Sequence, residues 1–548
     1  MIASPRRLLA ATAAVLALAA PSAAAAGRYA VGLEPGADRP AVRAELERRT
    51  GAPVESLAPL PALVASAPSA RSLGGVPGVS YVELLTERRL AFLPNDPLVG
   101  RQWYLSQNRS YDAWQEPPVL APVRVAVIDS GVDGTHPELA SRVAAARSFV
   151  GGSARKDTQG HGTFVAGLIA AGANDGVGIA GLAPSAELVV AKVVSSTGSI
   201  PVEAEVKAIR WAVANGARVI NMSLGGLRDP NDSSRDTYSR LEAEAIEYAV
   251  KKGATVVAAV GNADQAPSQP WRYASWPAAL PHVLGVSALA RNGASPTFSN
   301  RDALYNDIAA PGQEILSTFP LPLTALRPAC AEQGYSSCGP GEYQEAEGTS
   351  FATPQVSAAA ATLLATLPDL TSDQVVNVLE RSAVDALPAN GCARCLPGRD
   401  ALTGWGRLDV TAALAALALP LPAADRHEPN DDAGSRALTL WGAKRVVEAT
   451  LDFWDDQNDV YRVYLRRGQR LFAALAGTPG TDPALALWRP GTREIDDLSR
   501  QDLRVRLSAA IGPNEHFGYR ARAAGWYFLH VKLGTPGTGP YRLSVVKR

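Results

Sequence analysis

The sequence predicts an α/β protein. A three-layer unit on a mostly parallel sheet should follow a small α+β unit and precede an all-β sandwich. Three observations carry that prediction. From about residue 120 to 415, apolar runs of strand length alternate with helical patterns. Residues 27–93 read as strand, charged helix and strand. From residue 428 onward, short runs of period two are separated by glycine turns. A chain of 548 residues is too long for one ordinary domain, and its 47% hydrophobic content supplies a sizeable core. Lys plus Arg equals Asp plus Glu at 53 each. The formal charge is zero, so the overall balance argues for neither nucleic acid nor an anionic membrane.

Residues 1–26 read as a secretory signal peptide. Arg6 and Arg7 form the positive start, Leu8 to Ala20 the apolar middle, and Ser22 to Ala26 the small-residue exit. That run is short for a membrane span, and no later stretch is long and apolar enough to be one. The expectation is a secreted, extracellular protein. Export makes disulfides the default for Cys330, Cys338, Cys392 and Cys395, which admit three pairings. The two local ones fit the spacing best. A zinc site is the rival, but no histidine stands beside either pair.

In residues 27–93, Arg28 to Leu33 alternates as a strand, Pro40 to Thr50 is a charged helix with proline in its first turn, and Gly78 to Glu83 is a second strand. Pro94-Asn95-Asp96-Pro97 opens the main unit, 94–418. Its predicted strands are Val123 to Ile128, Leu188 to Val194, Val219 to Leu224, Thr255 to Val260 and Val283 to Ala288. Helical patterns lie near Val202 to Ala214 and Leu241 to Lys252. Strands that are apolar throughout are covered on both faces, which means a parallel sheet between helices. Sites in such sheets lie beyond the carboxyl ends of the strands.

Asp129 stands at one such end, in Val127-Ile128-Asp129-Ser130-Gly131. His161 lies in Gly160-His161-Gly162-Thr163, where a helical pattern begins. Ser350 lies in Gly348-Thr349-Ser350-Phe351-Ala352-Thr353-Pro354, which runs into the apolar stripe Val356, Ala359, Ala360, Leu363 and Leu364. Each has a bland reading alone: a turn aspartate, a structural histidine, an N-cap serine. Together they form an Asp, His, Ser order with each residue at the edge of a regular element.

At this point the chain resembles the subtilisin-like serine proteases, the subtilases. The resemblance covers about Pro94 to Ala415. It rests on the three segments just quoted, together with Asn221-Met222-Ser223-Leu224-Gly225-Gly226, Gly261-Asn262 and Ala310-Pro311-Gly312. It implies the subtilisin-like three-layer fold and a serine endopeptidase. Asp129, His161 and Ser350 would be the triad, and the Asn262 side chain with the Ser350 N–H the oxyanion hole. Ser223, Leu224 and Gly225 would pair with the backbone of polypeptide substrates. It also implies that 27–93 is an inhibitory propeptide, the chain's own intramolecular inhibitor, freed by self-cleavage near 85–95; the expected mature protein is a monomer with no membrane span and, by its charge balance, no nucleic-acid partner. A structural calcium ion is implied at Asp96, Glu138 and Asp175 with the carbonyls of Gly172, Val177 and Ile179; Glu138 is one methylene longer than the usual aspartate.

Two departures stand out. Asp264 occupies a position where family members often have glycine, near the expected primary specificity pocket. It reads either as a selector for basic side chains or as a solvated loop residue. Phe319 to Glu345 is a long Pro/Gly-rich insertion that carries Cys330 and Cys338 directly before the nucleophile. His136 follows Asp129 too closely to face it, and reads as part of a turn.

After a linker at 419–427, residues 428–548 show alternation at Tyr461, Val463 and Leu465, at Leu471, Ala473 and Leu475, at Tyr527, Leu529 and Val531, and at Tyr541, Leu543 and Val545. This predicts a small antiparallel sandwich. Glu428-Pro429-Asn430-Asp431, Asp459-Val460-Tyr461, Gly468-Gln469 and Gly525-Trp526-Tyr527 make it similar to the bacterial pre-peptidase C-terminal domain. Asp455, Asp456 and Asp459 read as a solvated acidic turn, with calcium as the alternative. Two rival readings of the whole stay open: a silent binding protein on a protease scaffold, and a narrow processing protease.

Overall fold

A computed structural model describes residues 27–548 apart from 86–91, 265, 325–340, 422–424, 429, 435–436, 454–455, 494, 496–501 and 535–536. The signal segment 1–26, Cys330, Cys338, Asp455 and much of the 319–345 insertion therefore lie outside the described residues, as does part of the expected maturation stretch. The chain divides into two compact units, at residues 90 and 91.

The first unit packs helix α1 (Arg39–Thr50) against one sheet. Its strands are β1 (Gly27–Leu33), β2 (Glu55–Ser56), β3 (Ala62–Ala67) and β4 (Val79–Leu84), in the order β2-β3-β1-β4, all antiparallel. Asp38 caps α1 by accepting from the Ala41 N–H, and Gly51 ends it in the left-handed region. Val42 and Leu46 turn inward to meet Val31, Leu63 and Ala65.

The second unit is built on seven parallel strands: β5 (Arg124–Asp129), β6 (Val143–Ser148), β7 (Glu187–Lys192), β8 (Val219–Met222), β9 (Thr255–Ala259), β10 (Val283–Leu289) and β11 (Ile308–Pro311). Their order is β11-β10-β9-β8-β5-β7-β6. The strands are apolar on both faces because both are covered. On β5, Val125 and Val127 join one core, and Ala126 and Ile128 the other. Helices α3 (His161–Ala170), α7 (Thr349–Thr366), α8 (Ser372–Arg381) and α9 (Val410–Ala416) cover the first face, after the short α2 (Trp103–Gln107). Helices α4 (Val202–Ala214) and α5 (Arg240–Lys251) cover the second. Each fully buried Val or Ile contributes about 1.5–3 kcal/mol by leaving water, which makes this double burial the main force holding the layers.

The 319–345 insertion ends in structure. After α6 (Leu321–Thr324), β13 (Tyr343–Ala346) pairs antiparallel with β12 (Ile315–Thr318) just before α7. The last residues form two stacked sheets. One runs β14 (Leu438–Thr439), β16 (Asn458–Leu465), β21 (Gly525–Leu533), β18 (Pro483–Trp488) and β19 (Arg504–Ser508); the other runs β15 (Lys444–Asp452), β22 (Thr538–Lys547), β17 (Arg470–Ala476) and β20 (Asn514–Arg520). The antiparallel expectation needs one correction: the two-residue β14 pairs parallel with β16. Among the described residues, no helix is long and apolar enough to cross a membrane.

Candidate active site

Asp129 ends β5, 1% exposed, and its Oδ1 accepts from the Ser130 N–H. His161 begins α3. The two meet because α3 presses against the turn after β5: a Cβ on Gly162 would lie 2.1 Å from the Gly131 carbonyl oxygen. Only glycine permits that approach. His161 Nδ1 then lies 2.9 and 3.0 Å from the two oxygens of Asp129. Burial pushes the His161 pKa down, but the charge and hydrogen bond of Asp129, with the charge of Asp157, outweigh it and raise the pKa above 6.5.

Asp157 escaped the sequence analysis. It is 2% exposed and organises the start of α3. Its Oδ1 accepts from Ser130 Oγ and from the N–H groups of Gln159 and Gly160. Its Oδ2 accepts from the N–H and hydroxyl of Thr163. The signal was present: an aspartate just ahead of a helix start, with a threonine in the first turn.

Ser350 is in the first turn of α7, whose cap is Gly348 at φ +148°. Its own N–H belongs to the turn that has no intrahelical acceptor. Its hydroxyl donates to the Ser223 carbonyl at 3.1 Å, and no hydrogen bond joins it to His161. Ser223 Oγ in turn donates to the Ser350 carbonyl at 2.8 Å. Behind them Asn221 bonds both Ser223 and Ser357. The end of β8 is thereby tied to α7 by the side chains of Asn221, Ser223 and Ser357, a bonding role that the motif around Asn221 does not announce.

The Asn262 amide is oriented by its oxygen. Oδ1 accepts from the Thr349 N–H at 2.8 Å and the Thr349 hydroxyl at 2.9 Å. That leaves Nδ2 with two donors, and its proximity favours the ionised Asp264 carboxyl. Asp264 is exposed, yet partial desolvation in the cleft raises its pKa above the ordinary carboxylate value.

Asp129, His161, Ser223, Leu224, Gly225, Asn262, Asp264 and Ser350 line one cleft of about 570 Å³, a size usual for ligand sites. Glu347 lines it as well, and no described Lys or Arg does. His136 is elsewhere: it is buried, its Nε2 lies 3.2 Å from the Glu342 carbonyl, and it makes no bond to Asp129.

The predicted calcium ligands share one neighbourhood. Asp96 accepts from the N–H groups of Asn174 and Asp175. Glu138 accepts from the N–H groups of Gly172 and Ile179 and from the Tyr343 hydroxyl. Val177 donates its N–H to Asp175 Oδ1. Burial raises Glu138 to about 7, with Asp175 adding its charge; burial and Asp175 raise Asp96 too. The charge of Asp175 disfavours the ionised forms of both Asp96 and Glu138, and a hard cation between them would relieve that repulsion. Both Glu138 oxygens already accept, so the fit rests mainly on Asp96 and Asp175.

The expectation of a solvated acidic turn fails at Asp459, which is fully buried and bonded by Asn430 and by the Tyr541 hydroxyl. Among the described residues, His282, Glu428 and Asp431 converge within 4.8 Å, as do Asp425, Glu428 and Asp456. Cys392 and Cys395 are bonded to each other.

The sequence profile described as the subtilase family matches residues 121–406. Subtilisin E of Bacillus subtilis (strain 168) is 38% identical over 263 residues, which is 48% of this chain and 60% of that one. Subtilisin of Bacillus pumilus is 37% identical over 263 residues, 48% of this chain and 83% of that one. Thermitase of Thermoactinomyces vulgaris is 33% identical over 275 residues, 50% and 85% respectively. The chain thus spans 60% of the length of the first of these relatives.

Proposed function

The chain belongs to the subtilase family, and on that premise we propose that it is a secreted serine endopeptidase, made as a zymogen, that hydrolyses peptide bonds. The observation that carries this reading is His161 Nδ1 bonded to both oxygens of Asp129 in the cleft that Ser350 lines.

A free hydroxyl is a weak nucleophile. Ser350 turns from the Ser223 carbonyl to His161 Nε2, which takes its proton as Oγ attacks the substrate carbonyl carbon. The carbonyl π pair moves to oxygen, where Asn262 Nδ2 and the Ser350 N–H donate to it. The pair returns, the C–N bond breaks, and the leaving amine takes the proton from His161. Water then repeats the sequence on the acyl-enzyme. Asp129 keeps the proton on Nδ1 and stabilises the imidazolium. Ser223, Leu224 and Gly225 bind the substrate backbone by strand addition. Asp264, in a cleft without cationic lining, favours substrates with basic side chains.

Residues 27–93 act as the inhibitory propeptide, 428–548 form a pre-peptidase C-terminal-like domain, and the mature enzyme is a monomer. Calcium bound by Asp96 and Asp175, with Glu138, holds the segment before α2 to the loop after α3. Chelation should then lower the melting temperature, and Glu138→Gln should shrink that drop; a melting curve indifferent to chelator removes the ion from this account.

The test is a peptidyl phosphonate. Wild-type protein should be labelled at Ser350, and Ser350→Ala should stay both unlabelled and unprocessed. An unlabelled wild type would leave the silent-scaffold reading. A Ser350→Ala chain trimmed normally in a protease-free host would rule out self-cleavage.

A further inference from the structure

The neutral overall charge conceals one local imbalance. At one end of the C-terminal sandwich, the turns after β16 and β20 flank a groove of about 1030 Å³. Arg467, Arg489, Arg506, Arg520 and Arg522 line it, and among the described residues Asp502 is the single carboxylate that does. All five arginines are exposed. Among the described residues, Arg489 with Asp502 at 2.8 Å is the one ion pair in the groove. Arg470, directly opposite Arg520 across β17 and β20, adds a sixth charge nearby. Like charges placed directly opposite in a ladder destabilise it, so this arrangement costs the free protein stability.

The groove is preformed. Gly468 donates to the Ala521 carbonyl at 2.7 Å, and Ala521 to the Gln469 carbonyl at 2.9 Å, so the two turns are tied together. Main-chain carbonyls also hold the arginine stems. Arg520 Nε donates to Gly468, and Arg506 Nη1 to Val505, while the Arg506 guanidinium lies 5.4 Å from the Tyr519 ring. Carbonyl anchors fix a guanidinium without neutralising it. Its remaining N–H groups form a fork suited to sulfate or carboxylate.

We propose that this groove of the C-terminal sandwich binds an acidic polysaccharide, sulfated or carboxylated, and so holds the protein on such a polymer. The groove is far larger than a single anion needs, and its charges are spread along it. Single-stranded nucleic acid fits less well, because the lining tyrosines, Tyr519 and Tyr527, are 8% and 1% exposed and offer no free ring face for stacking bases. A protein partner would need buried apolar anchors, and the lining is chiefly arginine.

The full chain is tested by affinity electrophoresis against dextran sulfate, polygalacturonate and neutral dextran. One or both acidic polymers should retard it, and neutral dextran should not. Arg520→Ser with Arg522→Ser should weaken binding at least about tenfold and reduce the salt-dependence slope by about two, one for each lost ionic contact. Arg467→Ser, in an exposed turn, should reduce the slope by about one with its melting temperature unchanged. Cleavage of a short neutral peptide should be the same in all variants. Undiminished retardation of the variants, equal retardation by neutral dextran, or tighter binding of single-stranded DNA than of either acidic polymer would overturn the proposal.

Discussion

At the scale of the residue, His161 is set by opposed pressures: burial against its charge, Asp129 and Asp157 for it. The base must be neutral to take the proton of Ser350, so activity should fall as pH drops through the His161 pKa. With that pKa raised above 6.5, the midpoint of the acid limb should lie above 6.5. Asp157→Asn removes one supporting charge and should move the limb to lower pH. Profiles of kcat/KM against pH would show this, and coincident limbs for the two proteins would contradict it. Asn262→Ala removes the donor that Thr349 holds in place. It should lower kcat about 10²–10³-fold with little change in KM, a size taken from the equivalent subtilisin asparagine rather than read from this chain. A loss mainly in KM would assign Asn262 to ground-state binding instead. The triad members were legible because each carries a local motif. Asp157 was not, and Asn221 was read as part of a motif without its bonds, because a hydrogen-bonding role between elements leaves no periodic trace in the sequence.

At the scale of the element, legibility followed burial. The five predicted strands of the main sheet are apolar on both faces, and all five are present within one or two residues. The two that were missed are edge strands of that sheet. On β6, Val143 is buried, but Ala144 and Arg147 are exposed, so the continuous apolar run that identifies an interior strand is broken. β11 has four residues and ends on Pro311, which reads as a loop. In the first unit, β3 was overlooked because Ala62-Leu63-Val64-Ala65-Ser66-Ala67 carries neither alternation nor strong β-formers beyond Leu63 and Val64. Ser350 illustrates a finer distinction. Its helical context was readable from the stripe after it, yet the capping position belongs to Gly348, two residues earlier. That shift places Ser350 inside the first turn, where its N–H is unpaired. Pro354, the sixth residue of α7, lies inside the helix and cannot donate to the Ser350 carbonyl, which accepts from Ser223 Oγ instead.

At the scale of the molecule, α8 joins the two larger parts. Its outward residues reach the C-terminal segment: Asn377 Nδ2 donates to Asp452 Oδ1 at 2.6 Å, and Asp373 lies beside His282, which also faces Glu428 and Asp431. Trp405 packs edge-on to Phe453 at 5.1 Å. Residues 91–548 accordingly form one compact unit rather than beads on a linker. A buried interface of this kind couples unfolding: the sandwich cannot melt without exposing α8, and α8 covers the first face of the parallel sheet. Calorimetry of the wild type should therefore show the sandwich and the α/β layers unfolding in one transition. Asn377 is fully buried, so Asn377→Ala removes a charge-assisted bond and leaves the Asp452 side with one donor fewer, a cost of about 1–3 kcal/mol. Because the loss falls on the contact and not on either core, the variant should melt in two steps, with the sandwich leaving first. A wild type that already melts in two steps would mean that the parts are not coupled, and a variant that melts lower but still in one would mean that they are coupled by something other than this contact.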